Sequence, residues 1–273
     1  MKLKISILLT ILFSISLTTF GQKETVKPKT ETKTTETKTS PETKTTGNKT
    51  AAAKMPTVGE ILAKYVQAIG GKQANEKIKS RMAKGTVEVL PMGIKGTFEN
   101  YSAAPNKSMA KVTVAGIGDL VEGFDGTTAW SINPIQGNRE KQGEELAQAR
   151  VNNYFNRETN LAKLYPKLEL KGIEKVGEGD AYVVVGTPDN NLPPDTFYFD
   201  TKSGLLVRQD TTTIAPEGKM PGKTFLEDYR EVDGVKIPFK TRTVSPENEV
   251  ITTFTEVKNN VAVESSKFVK PKA

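Results

Sequence analysis

Between Arg81 and Pro134 the chain reads RMAKGTVEVLPMGIKGTFENYSAAPNKSMAKVTVAGIGDLVEGFDGTTAWSINP. Short runs of Val, Ile, Phe and Thr are cut every few positions by Pro, Gly or Asn. Branched and aromatic residues suit a pleated, half-buried surface and the breakers supply turns, so this spacing predicts an antiparallel β meander. The expected strands lie near 82–90, 94–103, 107–115, 118–124 and 128–133, with Asp125-Gly126 as a tight turn. In the first strand Val87 and Val89 point one way, Thr86 and Glu88 the other. The rest of the chain either extends this sheet or covers one of its faces.

A second β series follows, at 168–176, 180–187, 195–200, 204–213, 223–231, 235–244 and 249–257. Asp200 to Gly204 (DTKSG) has the form of a hairpin loop with a left-handed glycine, and Asp233-Gly234 marks another hairpin. Two segments break the pattern. Thr57 and Glu60 have capping-box spacing, after which Val58, Ile61, Leu62, Tyr65, Val66 and Ile69 fall on one helical face, ended by Gly70-Gly71. A short second helix is expected within Lys72–Lys79. From Gly143 to Tyr165 the composition is helical, with Leu146, Ala149, Tyr154, Phe155, Leu161 and Leu164 turned inward, and Pro166 stops it. The fold class is α+β, mostly β: a strongly curved antiparallel sheet forming an unclosed barrel, plugged by the N-terminal helix and the mid-chain helical insert.

The ends of the chain differ from this body. Residues 1–21 place Lys2 and Lys4 before the apolar run ISILLTILFSISL, which is too short to span a bilayer and suits the core of a secretion signal, with cleavage expected between Gly21 and Gln22. An uncleaved membrane anchor is the alternative. Residues 22–54 are nearly all Thr, Lys, Glu and Pro with one large apolar residue, Val26. Such a segment buries too little surface to offset its ordering entropy, so it reads as a disordered linker, either an envelope spacer or a solubilising tail. The folded domain is expected over 55–258, followed by a polar tail at 259–273 that Val261, Val263 and Phe268 are able to staple to the body.

Charge and missing residue types narrow the function. The net charge of +7 comes from 39 Lys and Arg against 32 Asp and Glu, but the excess sits in the two ends. The body is close to neutral, so no basic groove for nucleic acid is expected. There is no histidine and no cysteine. Their absence removes imidazole acid–base chemistry, histidine zinc sites, disulfides and lipid attachment at a cysteine. Carboxylate pairs and Ser/Lys dyads remain as the possible makings of an envelope hydrolase, and nothing singles out a pair. Gly116-Ile117-Gly118 lacks the context of a dinucleotide fingerprint. No enzyme, cofactor or metal site is expected, and the protein reads as a monomer.

Two stretches carry a resemblance. GTFENYSAAPNK followed by GFDGTTAWSINP, with Asp125, Gly126, Trp130 and Pro134 in place, resembles the periplasmic lipoprotein-carrier superfamily of LolA/LolB-like proteins. FDTKSGLLVR at Phe199–Arg208 is similar to the later strands of that family. EDYREVDGVKIPF at Glu227–Phe239 resembles an uncharacterised branch whose modules look like the C-terminal appendage of some insulinase-type peptidases, and the absence of zinc-binding histidines carries no peptidase activity over. The resemblance implies a LolA-like half-barrel with a hydrophobic cavity for acyl chains, a lipid or lipoprotein as partner and a periplasmic location.

A curved sheet encloses more space than one helix fills, and each methylene buried there is worth about 0.8 kcal/mol. By alternation, Val87, Val89, Phe98, Trp130, Ile132, Phe197, Phe199, Phe225 and Phe239 are the candidate cavity residues, and for any one of them ordinary core packing is the stronger reading. Ile61, Leu62, Tyr65, Leu146 and Phe155 are the candidate lid, held by apolar contact. Trp130, the sole tryptophan, is either a gate or a buried anchor. The competing reading is a non-enzymatic module that binds another cell-envelope protein.

Overall fold

The computed structural model describes residues 54–271. The expected signal at 1–21, the linker at 22–54 except Lys54, and the last two residues of the 259–273 tail lie outside the described residues.

Helix α1 spans Val58–Ala68 and begins with the expected capping box: the Glu60 backbone N–H donates to Thr57 Oγ1 at 3.2 Å, and the Thr57 N–H donates to Glu60 Oε2 at 2.7 Å. Both donors are otherwise orphaned at a helix start. Gly70 and Gly71, at φ 107° and 81°, turn the chain into α2, Gly71–Lys77. No other residue type fits at Gly70, because a Cβ there would stand 2.1 Å from the carbonyl oxygen of Gly234. That contact, with the Lys236 N–H donating to Ile69 O at 3.1 Å, pins the helical start to a hairpin more than 160 residues later in the chain.

Thirteen strands form one antiparallel sheet. The first six are β1 (Ser80–Val89), β2 (Ile94–Ala103), β3 (Lys107–Val114), β4 (Gly118–Phe124), β5 (Ala129–Ile132) and β6 (Arg139–Glu140). The other seven are β7 (Lys167–Val176), β8 (Gly179–Thr187), β9 (Asp195–Asp200), β10 (Leu206–Ala215), β11 (Gly218–Val232), β12 (Val235–Val244) and β13 (Glu249–Asn259). In space, β1 to β6 step outward to one edge, whereas β7 starts at the other edge and the chain steps back to β13, which pairs with β1. The sheet does not close, since β6 and β7 are its two edges, and the architecture is the expected unclosed barrel.

The expected strands and turns largely recur. Asp233 and Gly234 adopt φ 52° and 77°, the left-handed pair that a two-residue hairpin needs. Strand β11 is longer than expected and takes φ 54° at Asp228, where one pair with β12 is omitted between Glu227 and Tyr229 without a change of register. The two-residue β6 was not legible in the sequence. The expected 143–165 insert resolves into α3 (Gly143–Asn152), a 3-10 turn at Arg157–Thr159 and α4 (Leu161–Leu164). Because β6 and β7 are opposite edges, this insert crosses the mouth of the half-barrel, so it is called the crossover below.

Candidate functional site

Register fixes which side chains face the crossover. On β1 these are Arg81, Ala83, Val87 and Val89, opposite Ser102, Asn100, Gly96 and Ile94 on β2. Through β3 and β4 the same face carries Val112 and Leu120. Through β13, β12, β11 and β10 it carries Thr252, Thr241, Thr243, Thr224 and Gln209.

The two halves of this face are covered differently. Over β8 to β11, Ile61 and Tyr65 of α1 and Ile69 at its C-cap, with Leu161 and Tyr165, pack on Val184, Phe197, Phe199, Leu206 and Leu226. Tyr65 meets Phe199, and Tyr165 meets Phe197, with ring centroids 5.1 Å apart in both pairs. Over β1 to β3 and β13, the crossover leaves a hollow of about 130 Å³ beneath residues 152–158. Its apolar wall is Phe98, Phe155, Ile237, Phe254 and Val257, and its polar wall includes Asn100, Ser102, Ser108 and Asn153. A second cavity of about 40 Å³ runs towards Tyr65 and Phe197, and the two share Arg81, Arg157, Glu158 and Ile237 in their linings.

Polar ties hold the crossover down. The Phe155 N–H donates to Pro105 O at 2.9 Å, and Asn156 Nδ2 donates to Asn75 O at 2.8 Å. Ser108 Oγ donates to Asn153 Oδ1. Gln148 works both ways on β10: its Nε2 donates to Thr212 O at 2.8 Å and its Oε1 accepts from the Ile214 N–H at 2.9 Å. Beneath the 3-10 turn, Arg157 Nη2 donates to Asp195 Oδ2 at 3.2 Å and also to the Tyr165 hydroxyl. The same Asp195 oxygen accepts from Tyr165 Oη and from Gln209 Nε2. Arg157 and Asp195 are 7% and 8% exposed, so each charge depends on the other. Burial pushes the Asp195 carboxyl up to about 6 despite the guanidinium and hydroxyl beside it. The Tyr165 hydroxyl is likewise held well above its ordinary range by burial. Further along the same face is a band of buried threonines in which Thr224 and Thr243 share a 2.6 Å hydrogen bond between hydroxyls.

The candidate cavity residues separate into three groups. Phe98 lines the larger hollow and Phe197 the smaller one. Val87 and Val89 pack in a core with Val112, Val114 and Leu120, Phe199 packs under α1, and Phe239 packs with Ile78 and Val235. The remaining three lie on the outer face. Phe225 pairs in register with Arg208 and Arg242 and lies between their guanidinium groups, 5.9 and 4.0 Å from its ring centre. Trp130 is 1% exposed, packs over Gly123, where a Cβ would stand 2.1 Å from the indole, and donates Nε1–H to Phe268 O at 2.9 Å. Ile132 shares its side of β5. The odd–even shift arises in the turn at Asp125–Thr128, after which Ala129 and Ser131, not Trp130, continue the crossover-facing register.

Among the lid residues, Tyr65 and Phe155 line the cavities, Ile61 and Leu62 pack with the α1 core, and Leu146 packs on Phe124, Ala129 and Ala149. The ties given above show that hydrogen bonds, as much as apolar contacts, seat the crossover. Sequence reasoning missed Arg81, Arg157, Asp195 and Gln209. The one available signal was NNYFNRETN at 152–160, where asparagines and an arginine interrupt a helical pattern. Among the described residues no cluster of three His, Cys, Asp or Glu is placed to hold a metal ion, and no helix is long and apolar enough to cross a membrane.

No protein-family model matches the sequence, and no curated protein matches it. Solved structures do match. A DUF1329-family protein from Desulfovibrio piger superposes with a TM-score of 0.53 at 14% identity, covering 78% of this chain and 97% of its own. A LolA-superfamily protein from Nitrosomonas europaea superposes with a TM-score of 0.52 at 12% identity, covering 79% of this chain and 99% of its own. The fold is LolA-like. The likeness spans nearly the whole of each solved domain and agrees with the resemblance carried by Asp125, Gly126, Trp130 and Pro134. Within the LolA-like half-barrel, Trp130 and Pro134 serve the outer face and the edge, not the hollow.

Proposed function

We propose that this protein is a periplasmic carrier that holds the acyl chain of a lipid or lipoprotein between the crossover and the sheet. The observation that supports the reading best is the hollow walled by Phe98, Phe155, Ile237 and Phe254, roofed by a segment tied down through hydrogen bonds. Each methylene moved there from water contributes about 0.8 kcal/mol. A cavity of about 150 Å³ is known to accept a benzene-sized guest, so a hollow of about 130 Å³ takes the first few carbons of a chain. Accommodating a full acyl chain requires residues 152–158 to lift. The ties at Asn153, Asn156 and Arg157 are able to break and re-form against water, which suits reversible loading. On this reading residues 1–21 direct secretion and residues 22–54 tether or solubilise the carrier.

The test is extraction of lipid from protein purified out of a native envelope fraction, followed by titration of the stripped protein with palmitate. Trp130 lies on the opposite face and is a poor reporter, so the titration uses a Phe155→Trp variant, whose indole lines the hollow. Saturable quenching or enhancement, with co-purified acyl lipid, is the expected result. A lipid-free preparation with no fluorescence response overturns the carrier reading and leaves the envelope interaction module.

A further inference from the structure

Arg81 stands where the two cavities meet, at the start of β1 beside the final strand. Its one side-chain hydrogen bond among the described residues runs from Nε to Asn259 Oδ1 at 2.9 Å, leaving the paired Nη groups unused by protein. Arg157 differs, because Asp195 and Tyr165 occupy it. Glu158 lies on the same wall as Arg81 without closing an ion pair with it, and Lys236 adds a second cation to the smaller cavity. Arg157 and Asp195 cancel each other, so the smaller cavity keeps Arg81 and Lys236 against Glu158, one net positive charge, and the larger hollow keeps Arg81 against Glu158. Burial pulls the Arg81 guanidinium below its ordinary value, with the Glu158 charge opposing. A half-buried guanidinium whose Nη groups bond no described residue matches the planar geometry of a carboxylate or the oxygens of a phosphate. Lysine would present a point charge and lose that match.

We infer that the hollow selects an amphiphile with an anionic head group, a carboxylate or a phosphate ester, seated on the Nη groups of Arg81 while its chain lies along Phe98 and Phe254. This rests on the acyl-carrier reading and adds a polar specificity to it. Asn259 holds the guanidinium plane through Nε, and Arg81 is a binding residue with no chemical step attached to it.

The experiment compares palmitate, lysophosphatidate and methyl palmitate on the same stripped full-length chain at pH 8. The expected result is that either anion binds about tenfold or more tightly than the ester, a charge-assisted bidentate contact being worth at least that ratio. Arg81→Gln is expected to remove the preference while leaving ester affinity intact, and Arg81→Lys to restore part of it. Equal affinity for both anions and the ester on the unaltered chain overturns the inference alone, whether or not any variant folds. A preference that survives in a folded Arg81→Gln protein overturns it too. Failure of all three ligands to bind overturns the carrier reading along with it.

Discussion

Two coverings lie on one face of the same sheet, and they are built from different interactions. Helix α1 is amphipathic, begins with a reciprocal cap and buries Ile61, Tyr65 and Ile69 against the aromatic floor of β9. The crossover is weakly amphipathic and relies on Gln148, Asn153, Asn156 and Arg157 bonding to backbone and side chains of distant strands. Apolar burial is non-directional and hard to undo piecemeal, whereas a hydrogen bond exchanged for water is worth only about 1 kcal/mol net. On the carrier reading the first covering is a fixed plug and the second a roof that lifts. The cavities lie under the roof and at its border with the plug.

The contrast can be broken most forcefully from the plug side. Phe199→Ala removes a fully buried ring beneath Tyr65, and chemical denaturation is expected to show a loss of about 3–5 kcal/mol in a cooperative transition. Arg157→Ala acts on the roof. Leaving Asp195 as an unpaired buried carboxylate is expected to destabilise by about 3 kcal/mol, with amide exchange rising first in residues 143–165. Replacing both partners, as Arg157→Leu with Asp195→Leu, should recover much of that loss. A double variant as unstable as Arg157→Ala would show that the pair specifies the roof's seat beyond its own charge balance.

Acidity sharpens the comparison, because the roof is anchored through Arg157 to Asp195 on β9, a buried carboxyl held at about 6. A carboxyl raised above its unfolded value binds its proton more tightly in the fold. That contribution is complete below about pH 4, the unfolded value, and is lost as pH rises through about 6. Unfolding free energies from urea titrations between pH 4.5 and 7.5 are thus expected to fall by an amount of order 1–3 kcal/mol that disappears in Asp195→Asn. An unchanged slope in that variant would place the pH response elsewhere. The smallest effect belongs to the plug's cap: Thr57→Ala should cost about 1 kcal/mol without touching ligand affinity, since Thr57 is remote from both cavities.

What the sequence made legible was local. The capping box, the Gly70-Gly71 stop, and the Asp125-Gly126, Asp200–Gly204 and Asp233-Gly234 turns each declare themselves within five residues, and they delimit most strands. The plug face of α1 followed from 3.6-residue periodicity alone. The roof did not, because its anchors are joined over long separations: Arg157 to Asp195 across 38 residues, Asn156 to Asn75 across 81. Parity failed at Trp130, Ile132 and Phe225 for a related reason. Alternation tells which residues share a side of one strand, whereas which side meets the crossover depends on the turns and on the register with neighbouring strands, which places Phe225 opposite Arg208 and Arg242. The polar character of the hollow was hidden because Asn100, Ser102 and Ser108 sit in ordinary strand patterns and acquire meaning only from their neighbours across the sheet.

The seam between β1 and β13 has a consequence for how the molecule is made. Arg81 pairs with Asn259, so the middle of the sheet joins the first strand to the last. Until β13 has been made, the β1 to β6 ribbon lacks its neighbour at the centre of the sheet. Pairing over such a separation is slow to nucleate. A polypeptide wired in this way cannot complete the centre of its sheet until β13 is available to β1.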